Sequence, residues 1–316
     1  MDSCYLAYLF YQRTIIQKYP LLGIVCSFLA TELAEKKCGG GCGHRLELDS
    51  RAPPSLPDFY TPMQFKLKLI KEKNGDTLPM NYRYEFSKAV SKLMEEAIAR
   101  HGDVAPMHFH TQICKSFTFG NFTFDFYQIH QQEGHIVRQG REAAVEIRFL
   151  VDDEEENLIK KALLLQRITL GDTSYQISQI ETVPLIDFQD VMAYRCLCPI
   201  SLVNSSPSGN RGFLSPKDRD FHKSLKIDLI KRLLRSHPEV SGLENLDQYC
   251  PEFKFQLLSE PKEKGFNVKS NGSFHSVIGY QFDFQLKASP VLHELGFYEG
   301  FGLQHSMGLG FVEVIA

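Results

Sequence analysis

Residues 300–314, GFGLQHSMGLGFVEV, set four glycines, Gly300, Gly302, Gly308 and Gly310, in two Gly-x-Gly pairs around a five-residue crown. Glycine loses the most backbone freedom on folding, so glycines spaced this closely mark a chain that bends tightly or lies close against a neighbour. SPVLHELGFYEG (289–300) reads as a short helix leading into the loop, and GLGFVEVI (308–315) reads as an apolar strand leaving it. The loop is thus a helix-to-strand connection at the end of the chain. Its place in a larger fold depends on the pattern before it.

Working back from 289, the same alternation of elements recurs. SVIGYQFDFQLKA (276–288) reads as one long strand, EFKFQLLS (252–259) as a shorter one, and VMAYRCLCPISLV (191–203) as the strand that opens the series. Between the last two lies SPKDRDFHKSLKIDLIKRLLRSH (215–237), predicted as a helix with Ser215 as its cap and Pro216 in its first position. An equivalent series precedes it. MQFKLKLI (63–70) alternates apolar and basic residues, the period of a half-buried strand. The stretch 78–102 repeats apolar residues at three and four (Tyr84, Phe86, Ala89, Val90, Leu93, Met94), an amphipathic helix stopped at Gly102. KSFTFGNFTFDFYQI (115–129) reads as two Phe-rich strands split by a turn at Gly120 and Asn121. AAVEIRFLV (143–151), an acidic-headed helix at 152–165 and TSYQISQIETV (173–183) complete the set. The first series runs β-α-β-β-(β)-α-β and the second β-α-β-β-α-β. The expected fold is therefore α+β, with tandem ferredoxin-like (RRM-like) domains at 63–185 and 186–316. Residues 1–62 stand apart as an extension of uncertain status, ending in the proline-rich RAPPSLPDFYTP.

The bulk numbers exclude several classes. A chain of 316 residues with 43% hydrophobic and 23% charged residues has the composition of a soluble globular protein, and its net charge of −3 carries no global basic signature. The longest apolar run near the start, LLGIVCSFLA (21–30), is about half of what a membrane span needs, so no membrane partner and a cytoplasmic location are expected. Eight scattered cysteines favour reduced thiols over bridges. The cluster Cys38, Cys42 and His44 lacks a fourth ligand at a sensible spacing and reads as a glycine tract, so no metal and no cofactor are expected.

The loop and strand 300–314 resemble the G-h-G-x(5)-G-h-G signature of the CRISPR-associated repeat-processing endoribonucleases of the RAMP superfamily, where h is apolar. Four further blocks resemble that family in the same order: 63–94, 194–203, 213–232 and 284–302. The resemblance covers 63–316 and implies a metal-independent endoribonuclease. Such an enzyme cleaves precursor CRISPR RNA within its repeats by attack of a ribose 2′-OH on the adjacent phosphate. The alternative it leaves open is a RAMP-fold subunit that binds RNA in an effector complex without cutting it. CRISPR repeat RNA is the implied partner, with effector-complex subunits and a second copy of the chain as further candidates.

Cleavage without a metal needs a base, an acid and a cation at the phosphate. The resemblance places a catalytic His before the second strand with a Lys nearby, and APMHFHTQICKSFTF (105–119) supplies His110 and Lys115, with His108 in reserve. Some members add a Tyr on the first helix. Counting places Ser91 there, which leaves Tyr84 as the candidate hydroxyl. In the glycine loop, Gly300, Gly302, Gly308 and Gly310 are read as bringing backbone N–H groups to phosphate, and Gln304, His305 and Ser306 as donors at the crown, with His305 as an alternative acid or base. Among 63–316 no carboxylate pair and no Cys/His cluster argues for metal-dependent cleavage. Lys66, Lys68, Lys71 and Lys73, and Lys223, Lys226, Lys231, Arg232 and Arg235, form two basic runs that would otherwise be solvated faces.

Overall fold

The computed structural model describes residues 61–72, 77–101, 117–130, 134–151, 159–163, 167–204, 212–236, 252–270 and 273–315. All fall within one compact unit, Pro53–Ala316. The extension 1–60, Cys38, Cys42, His44, His108, His110 and Lys115 lie outside the described residues.

The alternation at 63–70 becomes β1 (Thr61–Lys71), which sends Met63, Phe65, Leu67 and Leu69 inward. After the short β2 (Thr77–Pro79), α1 (Tyr82–His101) covers that face with Phe86, Val90, Leu93 and Met94. Next come β3 (Phe117–Phe119), β4 (Thr123–His130), β5 (His135–Val151), helical residues 159–163 (α2), β6 (Arg167–Leu170) and β7 (Thr173–Thr182). The sheet runs β6-β7-β1-β5, all antiparallel, with β3 and β4 both on the far edge of β5. Counting β3 and β4 as one interrupted strand, the order is 4-1-3-2, that of a ferredoxin-like sheet.

The second half repeats the plan. It contains β8 (Val191–Cys196), α3 (Phe221–Ser236), β9 (Lys254–Leu257), β10 (Lys262–Ser270), β11 (Ser273–Gln281), β12 (Asp283–Lys287), α4 (Pro290–Glu299) and β13 (Val312–Val314). Its sheet runs β13-β8-β12-β9, again 4-1-3-2, while β10 and β11 form a separate two-stranded ribbon. The fold is α+β with tandem ferredoxin-like halves.

Several expected elements differ in detail. The turn at Gly120 and Asn121 does not reverse the chain: Phe117, Thr118 and Phe119 pair with β5, and β4 continues along the same neighbour. Gly120 N–H donates to Glu146 O at 2.9 Å, which keeps the chain on β5, while Asn121 Nδ2 donates to Leu197 O at 3.0 Å and turns outward. The strand expected over 276–288 is two strands broken at Phe282, whose ring is buried in the second core. The helix expected from Pro216 begins at Phe221, because Ser215 to Asp220 form a turn of their own in which Ser215 N–H donates to Asp218 Oδ2 at 2.6 Å.

Strand β5 joins the two cores. Val145, Ile147 and Phe149 face the first, while Leu150 packs into the second and Arg148 points the same way. The Arg148 guanidinium lies between the rings of Phe297 and Phe311, 3.6 and 3.8 Å from their centroids. It donates to Val312 O at 2.8 Å and to Glu146 Oε1 at 2.7 Å. Burial lowers its pKa to about 10, so it stays charged at neutral pH.

Candidate functional site

The glycine loop lies where the two halves meet. All four glycines have positive φ: 95° at Gly300, 81° at Gly302, 73° at Gly308 and 71° at Gly310. A Cβ on Gly310 would sit 1.9 Å from Phe301 O, one on Gly302 2.7 Å from Ser201 O, and one on Gly308 2.5 Å from Arg83 Nη1. Each position thus excludes larger residues twice, by dihedral and by space. The loop is sewn down by its own backbone. Phe301 N–H donates to Gly310 O at 3.0 Å, Leu303 N–H to Ser201 O at 2.8 Å, Gly308 N–H to His305 O at 2.8 Å and Gly310 N–H to Pro199 O at 2.8 Å. The reading of Gly308 and Gly310 as phosphate donors is therefore corrected, because their N–H groups are spent inside the protein. Gly300 and Gly302 are buried as well and act through backbone shape.

What the glycines hold up is the crown. Gln304 is exposed with φ 59°, the one positive φ outside glycine among the described residues, and His305–Met307 form a single 3₁₀ turn. His305 and Ser306 are half-buried. His305 Nδ1 sits 3.5 Å from Phe117 O at the start of β3. Burial, followed by the nearby Arg232 charge, pushes the His305 pKa down to about 3. Its imidazole is neutral at physiological pH, so it keeps one ring N–H for hydrogen bonding but no imidazolium proton to give as a general acid.

Beside the crown opens a cleft of about 910 Å³ between the halves. One wall is the start of α1 (Asn81 to Tyr84) with Phe124, Tyr127 and Ile129 of β4. The other carries Lys264, Phe266 and Asn267 of β10, Gln281, Leu197 and Pro199, and the loop contributes Met307 and Leu309. Tyr127 and Ile129 are 56% and 55% exposed, a large apolar display for side chains of this type. Tyr84 is half-buried on this wall, whereas Tyr82 packs against the first core and burial raises its phenol pKa. Ser91, further along α1, is half-buried.

Arg83 is the residue the sequence reading passed over. Its Nη1 donates to Gly308 O at 2.8 Å, and its Nη2 donates to Asn121 Oδ1 and to Cys198 Sγ, the latter at 3.2 Å. The guanidinium also lies 5.8 Å from the ring centroids of both Tyr82 and Phe119. Arg232 was assigned to a basic helix face. It is buried instead, paired with Asp228 at 3.0 Å and Glu299 at 3.5 Å, and it donates to Gly300 O at 2.7 Å. A carbonyl and two carboxylates draw it inward, so it anchors the loop. Lys223, Lys231 and Arg235 do face solvent. On β1, Lys68 pairs with Glu142 at 3.2 Å.

Comparison with known proteins follows the same outline. The family described as CRISPR associated protein Cas6, C-terminal, matches residues 181–314. A curated relative, the CRISPR-associated endoribonuclease-like protein Cas6 of Pyrococcus furiosus, is 23% identical over 259 residues, covering 80% of this chain and 99% of its own. Among solved structures, a Cas6-related protein from Pyrococcus furiosus superposes with a TM-score of 0.63 at 20% identity over 81% of this chain and 99% of that one. A RAMP protein described as binding different RNA substrates gives 0.62 at 20% identity, over 80% and 100%. Residues 181–314 match the Cas6 C-terminal family, and the chain shares its tandem fold with these Cas6-related and RAMP structures.

Proposed function

We propose that the protein binds CRISPR repeat RNA across the crown and the cleft and cleaves it there without a metal ion, maturing precursor transcripts into guide RNAs. The observation that carries this reading is the crown itself. An exposed Gln304 and the His305–Ser306 pair are held on glycine hinges, next in the chain to Met307, which with Leu309 lines an aromatic-rich cleft. Unpaired bases stack on aromatic faces, and Tyr127, Tyr84 and Phe124 offer such faces.

In the proposed reaction His110 takes the proton of the ribose 2′-OH as that oxygen attacks phosphorus. The P–O5′ bond breaks, leaving a 2′,3′-cyclic phosphate, and the departing 5′-oxyanion takes a proton from solvent water to become a 5′-hydroxyl. Lys115 stabilises the pentacovalent phosphate. Lys115 stands two residues before Phe117, whose carbonyl touches the His305 ring. That sequence proximity supports its assignment beside the crown. Tyr84 assists as a hydroxyl donor to the phosphate. His108 is the substitute base. We take 63–185 and 186–316 as the two domains that bring these groups together.

A second reading, RNA binding without cleavage within an effector complex, is favoured by one residue. Ser91 occupies the place where the resemblance anticipates a Tyr, and its short hydroxyl cannot do a phenol's reach. The test is incubation of the repeat RNA from the same genome's CRISPR array with the full chain and with His110→Ala, both in EDTA. A single cut by the intact chain, slowed about a hundredfold or more by the substitution, establishes the enzyme. Tight binding with no cut by the intact chain establishes the second reading. Full activity of His110→Ala moves the search for the base to His108 and His305.

A further inference from the structure

We propose that Arg83 is a positioning residue. It fixes the crown at the cleft mouth by locking the glycine loop to the first half of the molecule. The inference rests on the cleavage reading above.

Arg83 is the second residue of α1, and its three acceptors lie on three separate pieces of chain. Gly308 O belongs to the loop, Asn121 Oδ1 to the break between β3 and β4, and Cys198 Sγ to the segment after β8. These partners stand 225, 38 and 115 residues away in sequence, so one planar fork joins elements that no local interaction could hold in register. The C-terminal hinge of the loop is shaped around it. A Cβ on Gly308 would come 2.5 Å from Nη1 and 2.7 Å from the Phe119 ring, so this glycine leaves room for the guanidinium. Arg232 plays the matching part at the other hinge through Gly300 O. The crown from Leu303 to Met307 is therefore suspended between two arginine-held carbonyls, one from each half. Tyr82 and Tyr84 flank Arg83 in sequence and both border the cleft, so the same lock sets the wall that faces the RNA.

A lock of this kind acts on the rate rather than on affinity. A small displacement of a reacting group costs a large factor in rate, while binding spread over a long cleft barely registers it. A lysine cannot replace the arginine, because one ammonium cannot reach three acceptors in fork geometry.

The test uses the full chain with Arg83→Met, Arg83→Lys and Gly308→Ala, and the array's own repeat RNA. Two readouts are taken: single-turnover cleavage alongside equilibrium binding, and amide hydrogen exchange of the peptides over 301–311. For Arg83→Met we expect cleavage at saturating RNA to fall by about 10- to 100-fold with Kd changed by less than about threefold. Exchange over 301–311 rises about tenfold or more, while β1 and β12 keep their protection. Arg83→Lys does not rescue, and Gly308→Ala, which displaces the guanidinium, reproduces the pattern should Arg83→Met fail to fold. Loss of affinity at an unchanged saturated rate overturns the proposal and makes Arg83 a phosphate ligand. Unchanged exchange over 301–311 overturns it whether or not the protein cuts RNA. An intact chain that binds without cutting removes the cleavage reading, and the exchange result still decides for or against the lock.

Discussion

Gln304 occupies a left-handed backbone conformation that a glycine would adopt at less cost, in a loop where four neighbours are already glycine. A side chain kept exposed at such a place, three residues before Met307 of the cleft lining, points to use by a ligand. Gln304→Gly should stabilise the fold by about 1 kcal/mol and weaken repeat-RNA binding, seen as a higher urea midpoint together with a higher Kd. Stabilisation with unchanged affinity would remove Gln304 from the binding surface. His305 supplies a pH signature. Its folded pKa of about 3 lies below the ordinary histidine value, so between roughly pH 6.5 and 3 the unfolded chain holds a proton that the folded chain does not. Stability is therefore complete above that window and falls as the pH drops through it. His305→Gln, lacking the titrating ring, should lose less. The stability difference between the two proteins should shift by up to ~1.4 kcal/mol per pH unit below 6.5, read from urea titrations at successive pH values. Parallel curves would mean that the ring is solvated and unperturbed.

At the scale of elements, the hinges of the loop are the most demanding backbone in the molecule. Gly310→Ala sets a methyl 1.9 Å from Phe301 O at a φ of 71° and should cost about 3 kcal/mol or more. Gly212→Ala, in open space, should change stability by no more than about 0.5 kcal/mol in the same denaturation assay. These elements were legible to different degrees. The alternation in MQFKLKLI and the three-four spacing in α1 name their structures outright, because period and burial coincide there. The two β-α-β-β-α-β series, the first with an extra strand, give the fold class for the same reason. Gly120-Asn121 misleads because its turn chemistry is real while its partners are remote: Asn121 is taken by Arg83 and Leu197 O, and the chain continues along β5. The glycine loop was visible as an unusual object, but its N–H groups serve Pro199 O and His305 O, contacts that no spacing reveals. Arg232 reads as part of a basic helix face, and Arg83 carries no signal in the sequence at all. Only the packing of sequence-distant carbonyls around them turns each into an anchor.

For the whole molecule, the proposed RNA partner raises the question of how a chain of net charge −3 would hold a polyanion. Among the described residues that line the cleft, the cations are Arg83, already committed to three acceptors, and Lys264. The rest of the lining is largely aromatic, aliphatic and amide. The stronger basic display, Lys223, Lys231 and Arg235, is on α3, which contributes no residue to the cleft lining. These two surfaces predict different salt behaviour. Each phosphate neutralised on a single strand contributes about −0.7 to the slope of log K against log salt concentration. If RNA lies in the cleft and binds mainly by stacking and hydrogen bonds, about two or three phosphates are neutralised, and the slope is close to −2. Lys264→Ala should then make it shallower by about 0.7, while Lys223→Ala and Lys231→Ala leave it unchanged. Tyr127→Ala should weaken binding by about 1–3 kcal/mol at every salt concentration without altering the slope, since stacking releases no counterions. A slope near −5 that responds to the α3 lysines and not to Lys264 would place the RNA on the helix face instead. The cleft would then be left to another occupant.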